Sequence, residues 1–287
     1  MEKILFKKGH RSRAVFLIVT YLFLTFMMIC MILPLVKIFV DSVDPSAYGL
    51  RLWPKKFEWT AYRIIVKNQS LYQPFLVSVL TTVLGTAVGL LLTTMGAYTL
   101  LQTNMPGHKL MSKIVLLTML FNGGMIPTYL VIKNLGLMNN LISVIIPTCL
   151  SAYNIILIKS FFATIPGTLY EAAELDGCSP IDIFFRIALP LSKPALASVG
   201  LFIAVGMWNS YMPFILYMPN PDWKNFQVKI RDLILNDGLA GNVAYIDASQ
   251  EMLQSAVVIV VVIPFLVVYP FVQKYFTKGV TLGAIKG

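Results

Sequence analysis

Six stretches of this chain contain no Asp, Glu, Lys, Arg or His: residues 14–36, 74–101, 114–132, 134–158, 194–218 and 252–273. A helix needs about 18 apolar residues or more to cross roughly 30 Å of hydrocarbon, and each stretch supplies them. Lipid cannot satisfy backbone N–H and C=O groups, so an open chain crosses it as helices. The sequence is 57% hydrophobic and only 13% charged. A soluble domain carries about 25% charged residues, so lipid is the expected solvent. The fold class expected is an all-α membrane protein with six transmembrane helices, at about 14–36, 74–101, 114–132, 141–158, 194–218 and 252–273. The fourth is shortened because "NLGLMNN", residues 134–140, reads as a turn.

The first stretch is too long for a signal-peptide core, and no small-residue cleavage site follows it, so it is expected to stay as a helix. Lys3, Lys7, Lys8, Arg11 and Arg13 precede it. Flanking Lys/Arg marks the cytoplasmic side, which puts residues 1–13 inside. Six spans then return the C-terminal segment, residues 277–287, to the same side. The first outer loop also carries Arg51, Lys55, Lys56, Arg63 and Lys67, so the orientation rests on the termini. Residues 37–73, 133–140 and 219–251 then lie outside. A short loop around His108 and the long loop 159–193 lie inside.

The net charge is +10, but its bases are scattered between apolar stretches, which argues against a nucleic-acid partner. Two His and three Cys are too few for a metal or disulfide framework. Cys30, Cys149 and Cys178 read as small hydrophobes. "GTAVG", from Gly85 to Gly89, is a small-xxx-small pair suited to close helix packing.

The inner loop holds the densest polar pattern, "EAAELDGCSPIDIFFRIALPLSKP", from Glu171 to Pro194. The preceding "TIPGTLYEAAEL" predicts a short helix, capped by Thr164 or Thr168, with Pro166 in its first turn. Gly177 sits where a left-handed helix stop is wanted. Ser179, Pro180 and Asp182 have the spacing of a capping box with Asp in place of Glu. Ile181, Phe184, Phe185 and Ala188 recur at helical spacing, and Leu189-Pro190 is expected to end the second helix. Neither piece is long enough to be stable alone in water. Its acids do not suit an anionic leaflet. A protein partner with a basic groove answers both needs, and an amphipathic segment lying on the leaflet is the plainer alternative.

Glu171-Ala172-Ala173, two residues, Asp176-Gly177, nine residues, then Ile187, one residue, and Leu189-Pro190 resemble the EAA signature of permease subunits of ATP-binding-cassette importers. That resemblance implies the type I importer fold. It makes the loop 164–190 a coupling helix that docks on a cytosolic ATPase. Thr277–Gly287, "TKGVTLGAIKG", is similar to the tail of carbohydrate-type permeases, although Thr281-Leu282-Gly283-Ala284 departs from their Thr-Ala-Gly-Ala core. "MWNSY", Met207 to Tyr211, resembles a Trp-Asn pair in their fifth span. The resemblance implies a heterodimer with a second, homologous permease. It also implies two ATPase subunits, an extracytoplasmic solute-binding protein, a carbohydrate substrate and a bacterial cytoplasmic membrane.

The chain has no G-x-x-x-x-G-K-[ST], so ATP and Mg are expected on the partner ATPase. No cofactor, metal or catalytic residue is expected in this chain, which is read as a transport subunit and not an enzyme. The spans lack the ionisable groups of proton relays, which argues against an ion-driven carrier, although Na⁺ sites built from carbonyls stay open. A non-transporting scaffold is a further alternative. The substrate-pathway candidates are Asn122, Tyr153, Asn154, Trp208, Asn209 and Tyr211, whose neutral amide and aromatic groups suit sugars. Gly123, Gly124, Ser210, Gln250, Glu251 and Gln254 stand beside them. Each Asn equally suits a bond between helices. Import of an amino acid or polyamine is the nearest alternative within the same class. In the outer loop Phe226, Ile230, Leu233 and Ile234 form one apolar helical face. The resemblance implies that such a loop touches the binding protein, and an interfacial helix packed on the membrane surface is the alternative.

Overall fold

The computed structural model describes residues 11–46, 49–235, 251–264, 266–267 and 270. The tail 277–287, Gln250, the N-terminal lysines and the side chain of Ile234 lie outside the described residues. The described chain is helical and contains no strand. It runs α1 (Arg11–Val43), α2 (Thr60–Lys67), α3 (Tyr72–Leu101), α4 (His108–Leu120), α5 (Met125–Asn134), α6 (Leu141–Cys149) and α7 (Ala152–Phe162). It continues with α8 (Gly167–Leu175), α9 (Pro180–Ile183), a π-helical turn (Phe184–Ala188), α10 (Leu189–Leu191), α11 (Lys193–Trp208), α12 (Met212–Tyr217) and α13 (Phe226–Leu235). The last described helix is α14 (Glu251–Pro264).

Two units can be distinguished, residues 1–67 with 236–264, and residues 68–235 with 265–287. In the first, α1 is an apolar helix whose side chains stand exposed along most of its length. Its C-terminal end is tied to the following loop. Glu58 N–H donates to the Val43 carbonyl at 2.8 Å, and the Ser42 and Tyr62 hydroxyls pair at 2.7 Å. Asp44 organises this loop. It is buried, and its carboxylate accepts the Ser46 hydroxyl at 2.7 Å, the Ser46 N–H at 2.9 Å and the Lys55 N–H at 2.7 Å. Arg51 stands 3.6 Å away. The Ser46 hydroxyl holds the carboxyl well below the usual range. Burial works against it, and backbone N–H groups of Lys55, Ser46 and Lys56 add to it.

The second unit is built around α3, against which α11, α7 and α6 pack. The small-xxx-small pair explains the closeness. A Cβ on Gly89 would stand 2.9 Å from both the Cys149 carbonyl oxygen and its Cβ, and 3.2 Å from Ile203. A Cβ on Gly85 would stand 2.7 to 2.9 Å from Cε, Sδ and Cγ of the buried Met207 side chain. Ala97, Cys149, Ile158, Phe162, Val199 and Met207 form the buried core between these helices. A second cluster, Val77, Ile132, Val144, Phe214 and Tyr217, closes the other end.

Two helices are long and apolar enough to cross a membrane, Arg13–Val43 and Gln69–Leu101. Two further pairs meet that test together but are bent, Leu141–Cys149 with Ala152–Phe162 by 50°, and Pro180–Leu191 with Lys193–Trp208 by 83°. The stretch 114–132, expected as one helix, is divided between α4 and α5 by an extended segment at 121–124. Gly124 adopts φ +85°, and the Asn122 side chain accepts its N–H at 2.8 Å, so the chain leaves the helix there. The stretch 194–218 is likewise divided between α11 and α12 at 209–211.

Two outcomes follow from these contacts. Gly89→Val should force α3 from the Cys149 carbonyl and cost about 2 kcal/mol. That cost should appear as a lower thermal midpoint in detergent, whereas Gly206→Ala, which meets no atom within 4 Å, should be neutral or slightly stabilising. The stabilisation contributed by Asp44 is complete above the unfolded carboxylate value of about 4 and is lost as pH falls through it toward the lower folded value. Thermal midpoints measured across this acid range should therefore fall for the native chain. The Asp44→Asn variant should be weaker at neutral pH and flatter in its response to acid.

Candidate functional site

The inner loop folds as two helices joined at Gly177. The N-cap of α8 is Pro166, and neither Thr164 nor Thr168 caps it, contrary to expectation. Thr164 instead donates back to the Phe161 carbonyl at 2.7 Å, closing the end of α7. The C-terminus of α8 is a Schellman motif. Cys178 N–H donates to the Ala173 carbonyl at 3.0 Å, and Gly177 N–H to Glu174 at 3.0 Å. This geometry needs the positive φ of +76° found at Gly177. Ser179 then caps α9, its hydroxyl accepting the Asp182 N–H at 3.2 Å and donating to the Asp182 carboxylate at 2.6 Å. Arg186 adds a 3.5 Å ion pair. The Ser179 hydroxyl is the main cause that holds Asp182 below its ordinary value.

Leu189-Pro190 does not end this helix, as the sequence suggested. The backbone widens into the π turn, in which Leu189 N–H reaches the Phe184 carbonyl, and the helix runs on to Leu191. Pro190 has no N–H to donate, and the wider turn lets the chain pass it without breaking. Ile187 and Leu189 lie half-buried along this stretch and Pro190 is exposed.

The loop has a buried root and an exposed tip. Ala173, Ile183, Phe184 and Ala188 are buried. Phe184 packs on Tyr98 of α3 at 5.2 Å between ring centroids, and Tyr98 meets Phe162 edge-on. The Tyr170 hydroxyl donates to the Phe162 carbonyl at 3.4 Å, and burial pushes its pKa up to about 12, so it stays a donor. At the tip Glu171, Ala172, Glu174, Asp176 and Gly177 are exposed, beside apolar Leu175, 88% exposed, and Ile181, 69% exposed. Exposed acids interleaved with large apolar side chains form a surface complementary to a basic groove with an apolar floor.

The substrate-pathway candidates divide. Asn122 and Tyr153 come together. With Thr118, Ser151, Val115 and Ile155 they line an open pocket of about 480 Å³ between the α4–α5 break and the α6–α7 break. Asn154, one residue on, is buried on α7. Trp208 is a core residue, 4% exposed, its ring edge-on to Phe75 at 6.0 Å and tilted to Phe226 at 6.4 Å. Packed among rings, it offers no open face to a solute. Asn209 is exposed at the α11–α12 break, and Tyr211 is half-buried beside it.

The outer helix α13 turns the apolar face predicted for partner contact inward. Phe226 is 3% and Ile230 6% exposed, and Leu233 is half-buried. Within this chain the Phe226 side chain packs against Phe75 and Trp208. Helical period shows that a face is apolar but not which body it covers. The features that sequence reasoning missed are the anchors of this helix. The Asn225 amide donates to the Ser210 carbonyl, and Phe226 N–H donates to the Ser78 hydroxyl at 2.9 Å. A polar residue directly before an apolar helix was the available signal.

If the Asn122–Tyr153 pocket holds water, a cysteine at Tyr153 should react rapidly with a membrane-impermeant maleimide in a chain whose native cysteines are replaced by serine. In a second chain that keeps only Cys149, which is fully buried, reaction should be slow. Equal rates would exclude an aqueous pocket.

Comparison with known proteins adds to this geometry. Residues 110–282 match the family model described as binding-protein-dependent transport system inner membrane component. The polygalacturonan/rhamnogalacturonan transport system permease protein of Bacillus subtilis is 40% identical over 273 residues, covering 92% of this chain and 95% of the relative. The arabinooligosaccharides transport system permease protein of the same organism is 25% identical, covering 96% and 97%. Among solved structures, a chain of a bacterial ABC transporter involved in the import of the acidic polysaccharide alginate matches with a TM-score of 0.85 at 29% identity. That match covers 94% of this chain and all of the other.

Proposed function

The chain belongs to the binding-protein-dependent transport system inner membrane components, and from that premise we propose that it is the permease subunit of an ATP-driven oligosaccharide importer. The observation that carries this reading is the inner loop, a rigid helix–turn–helix with a buried root and an exposed acidic and apolar tip. Its relatives supply the substrate class, since they are named for the transport of polygalacturonan, arabinooligosaccharides and alginate.

In this reading six spans cross a bacterial cytoplasmic membrane with both termini inside. The third, fourth and fifth spans are each broken, as the α4–α5, α6–α7 and α11–α12 pairs. Broken backbone at membrane depth is tolerated where it lines a cavity or is buried in protein. The polar pocket at Asn122 and Tyr153, between two such breaks, fits one wall of a translocation pathway, whose other wall would come from a homologous permease. A solute-binding protein delivers the sugar from outside. Two ATPase subunits hold ATP and Mg, and this chain contributes no catalytic residue.

Coupling is mechanical. ATP closes the motor dimer, the groove carries Glu171–Gly177 with it, and the rooted helix passes that displacement to α3 through Phe184 and Tyr98, and to α11 through the elbow at Ser192. Alternating access follows as the broken spans rearrange about the pathway. Glu171 and Asp176 are assigned to charge pairing with the groove. Ala172 and Ala173 keep the helix slim, and Ile187, Leu189 and Pro190 carry the second helix to the elbow.

Gly177→Arg should abolish copurification of the ATPase and sugar uptake while leaving membrane insertion intact, because a Cβ there meets no atom of this chain within 4 Å and the strain of its positive φ stays local to the turn. Gly177→Asn should retain much of both, since Asn tolerates positive φ. Full uptake by the Arg variant would sink the coupling assignment.

A further inference from the structure

The α11–α12 break carries a second polar feature, which the coupling and pocket assignments leave unused. Arg231 of α13 lies with its guanidinium carbon 4.6 Å from the centroid of the Tyr211 ring, and its Nη1 donates to the Tyr211 hydroxyl. Among the described residues Arg231 makes no ion pair with an acid. Its neighbour Asp232 pairs instead with Lys224 at 3.4 Å. Arg231 is exposed, so its charge faces outward from a fixed seat.

The seat is built. Asn225 ties the start of α13 to the Ser210 carbonyl and also accepts the Val228 N–H at 3.1 Å, capping the helix. The Ser210 hydroxyl, in a residue 6% exposed, has no hydrogen-bond partner among the described residues. Exposed Asn209 completes the group. An arginine has five N–H donors in a planar fork matched to carboxylate, and the Tyr211 hydroxyl engages only one nitrogen. The stretch that holds Tyr211 carries no charge of its own, so the cation that Arg231 of α13 lays on it sets the charge preference at that break.

Resting on the importer reading above, we infer that Arg231, oriented by Tyr211, binds the carboxylate of an acidic sugar unit at the outer part of the pathway, so that the substrate is a uronate-containing oligosaccharide. Exposed Asn209 is placed to bond a sugar hydroxyl beside it. Tyr211 acts as a positioning residue that fixes the plane of the guanidinium.

The test uses the complete importer in proteoliposomes with its binding protein, and as probes trigalacturonate and its methyl ester, which has the same rings without the charge. The native complex should import trigalacturonate. Arg231→Gln should raise its KM roughly tenfold or more, and Arg231→Lys should recover part of that loss. Uptake of the ester should not distinguish Arg231→Gln from the native chain. Should Arg231→Gln fail to assemble, Tyr211→Phe keeps the charge and the ring while removing the hydroxyl. A severalfold rise in KM for trigalacturonate alone is then expected. Unchanged KM for trigalacturonate in either assembled variant, or native import of neutral oligosaccharides only, would overturn this inference and leave the importer reading standing. Failure to import any oligosaccharide would overturn the importer reading itself, and this inference with it.

Discussion

The missing Cβ of Gly89 permits the contact on which the second unit depends. It lets α3 approach the carbonyl end of α6 so closely that an alanine methyl would stand 2.9 Å from a backbone oxygen. In lipid no hydrophobic force drives helices together, so dispersion across close backbones takes its place. With α3 held there, α11 meets the same glycine face through Ile203 and Met207, α7 packs on α3 as well, and the root of the loop finds Tyr98. A side chain at Gly85 would press on the buried Met207 side chain, so the two glycines of one motif face different obstacles, a side chain and a backbone carbonyl.

The breaks in the helices follow from the same scarcity of partners. Where the chain leaves a helix at Asn122, its own side chain takes the Gly124 N–H, and Thr128 bonds the Gly124 carbonyl at 2.8 Å. Local polar groups thus satisfy a backbone that lipid would not. The residues that make a break possible also face any solute that reaches it, so structural and functional readings of Asn122 do not compete.

Short-range chemistry was legible in the sequence. The Ser179 cap, the Gly177 stop and the small-residue pair on α3 each depend on a few neighbouring residues, and each stands where the pattern placed it. Breaks were legible only in part. Gly123-Gly124 hinted at one and Pro147, which reads as a kink, at another, but Leu150 and Ser151, where the bend between α6 and α7 falls, carry neither Gly nor Pro. The π turn escaped notice because a proline normally ends a helix, and here a wider turn accommodates it. The inward face of α13 and the role of Asp44 were hidden for another reason. The first is settled by Phe75 and Ser78, far along the chain, and the second joins the neighbouring Ser46 hydroxyl to the backbone N–H of Lys55, which has no side-chain signature.

The 83° elbow between Pro180–Leu191 and Lys193–Trp208 makes this part of the chain a crank. Its long arm, α11, has 16 residues and so measures about 24 Å. With the elbow rigid, a tilt of about 10° in the short arm swings the far end by roughly 4 Å, close to the rise of one helical turn. That far end is the break at Asn209. On the importer reading, a small rocking of the loop tip becomes a displacement of that size at the break.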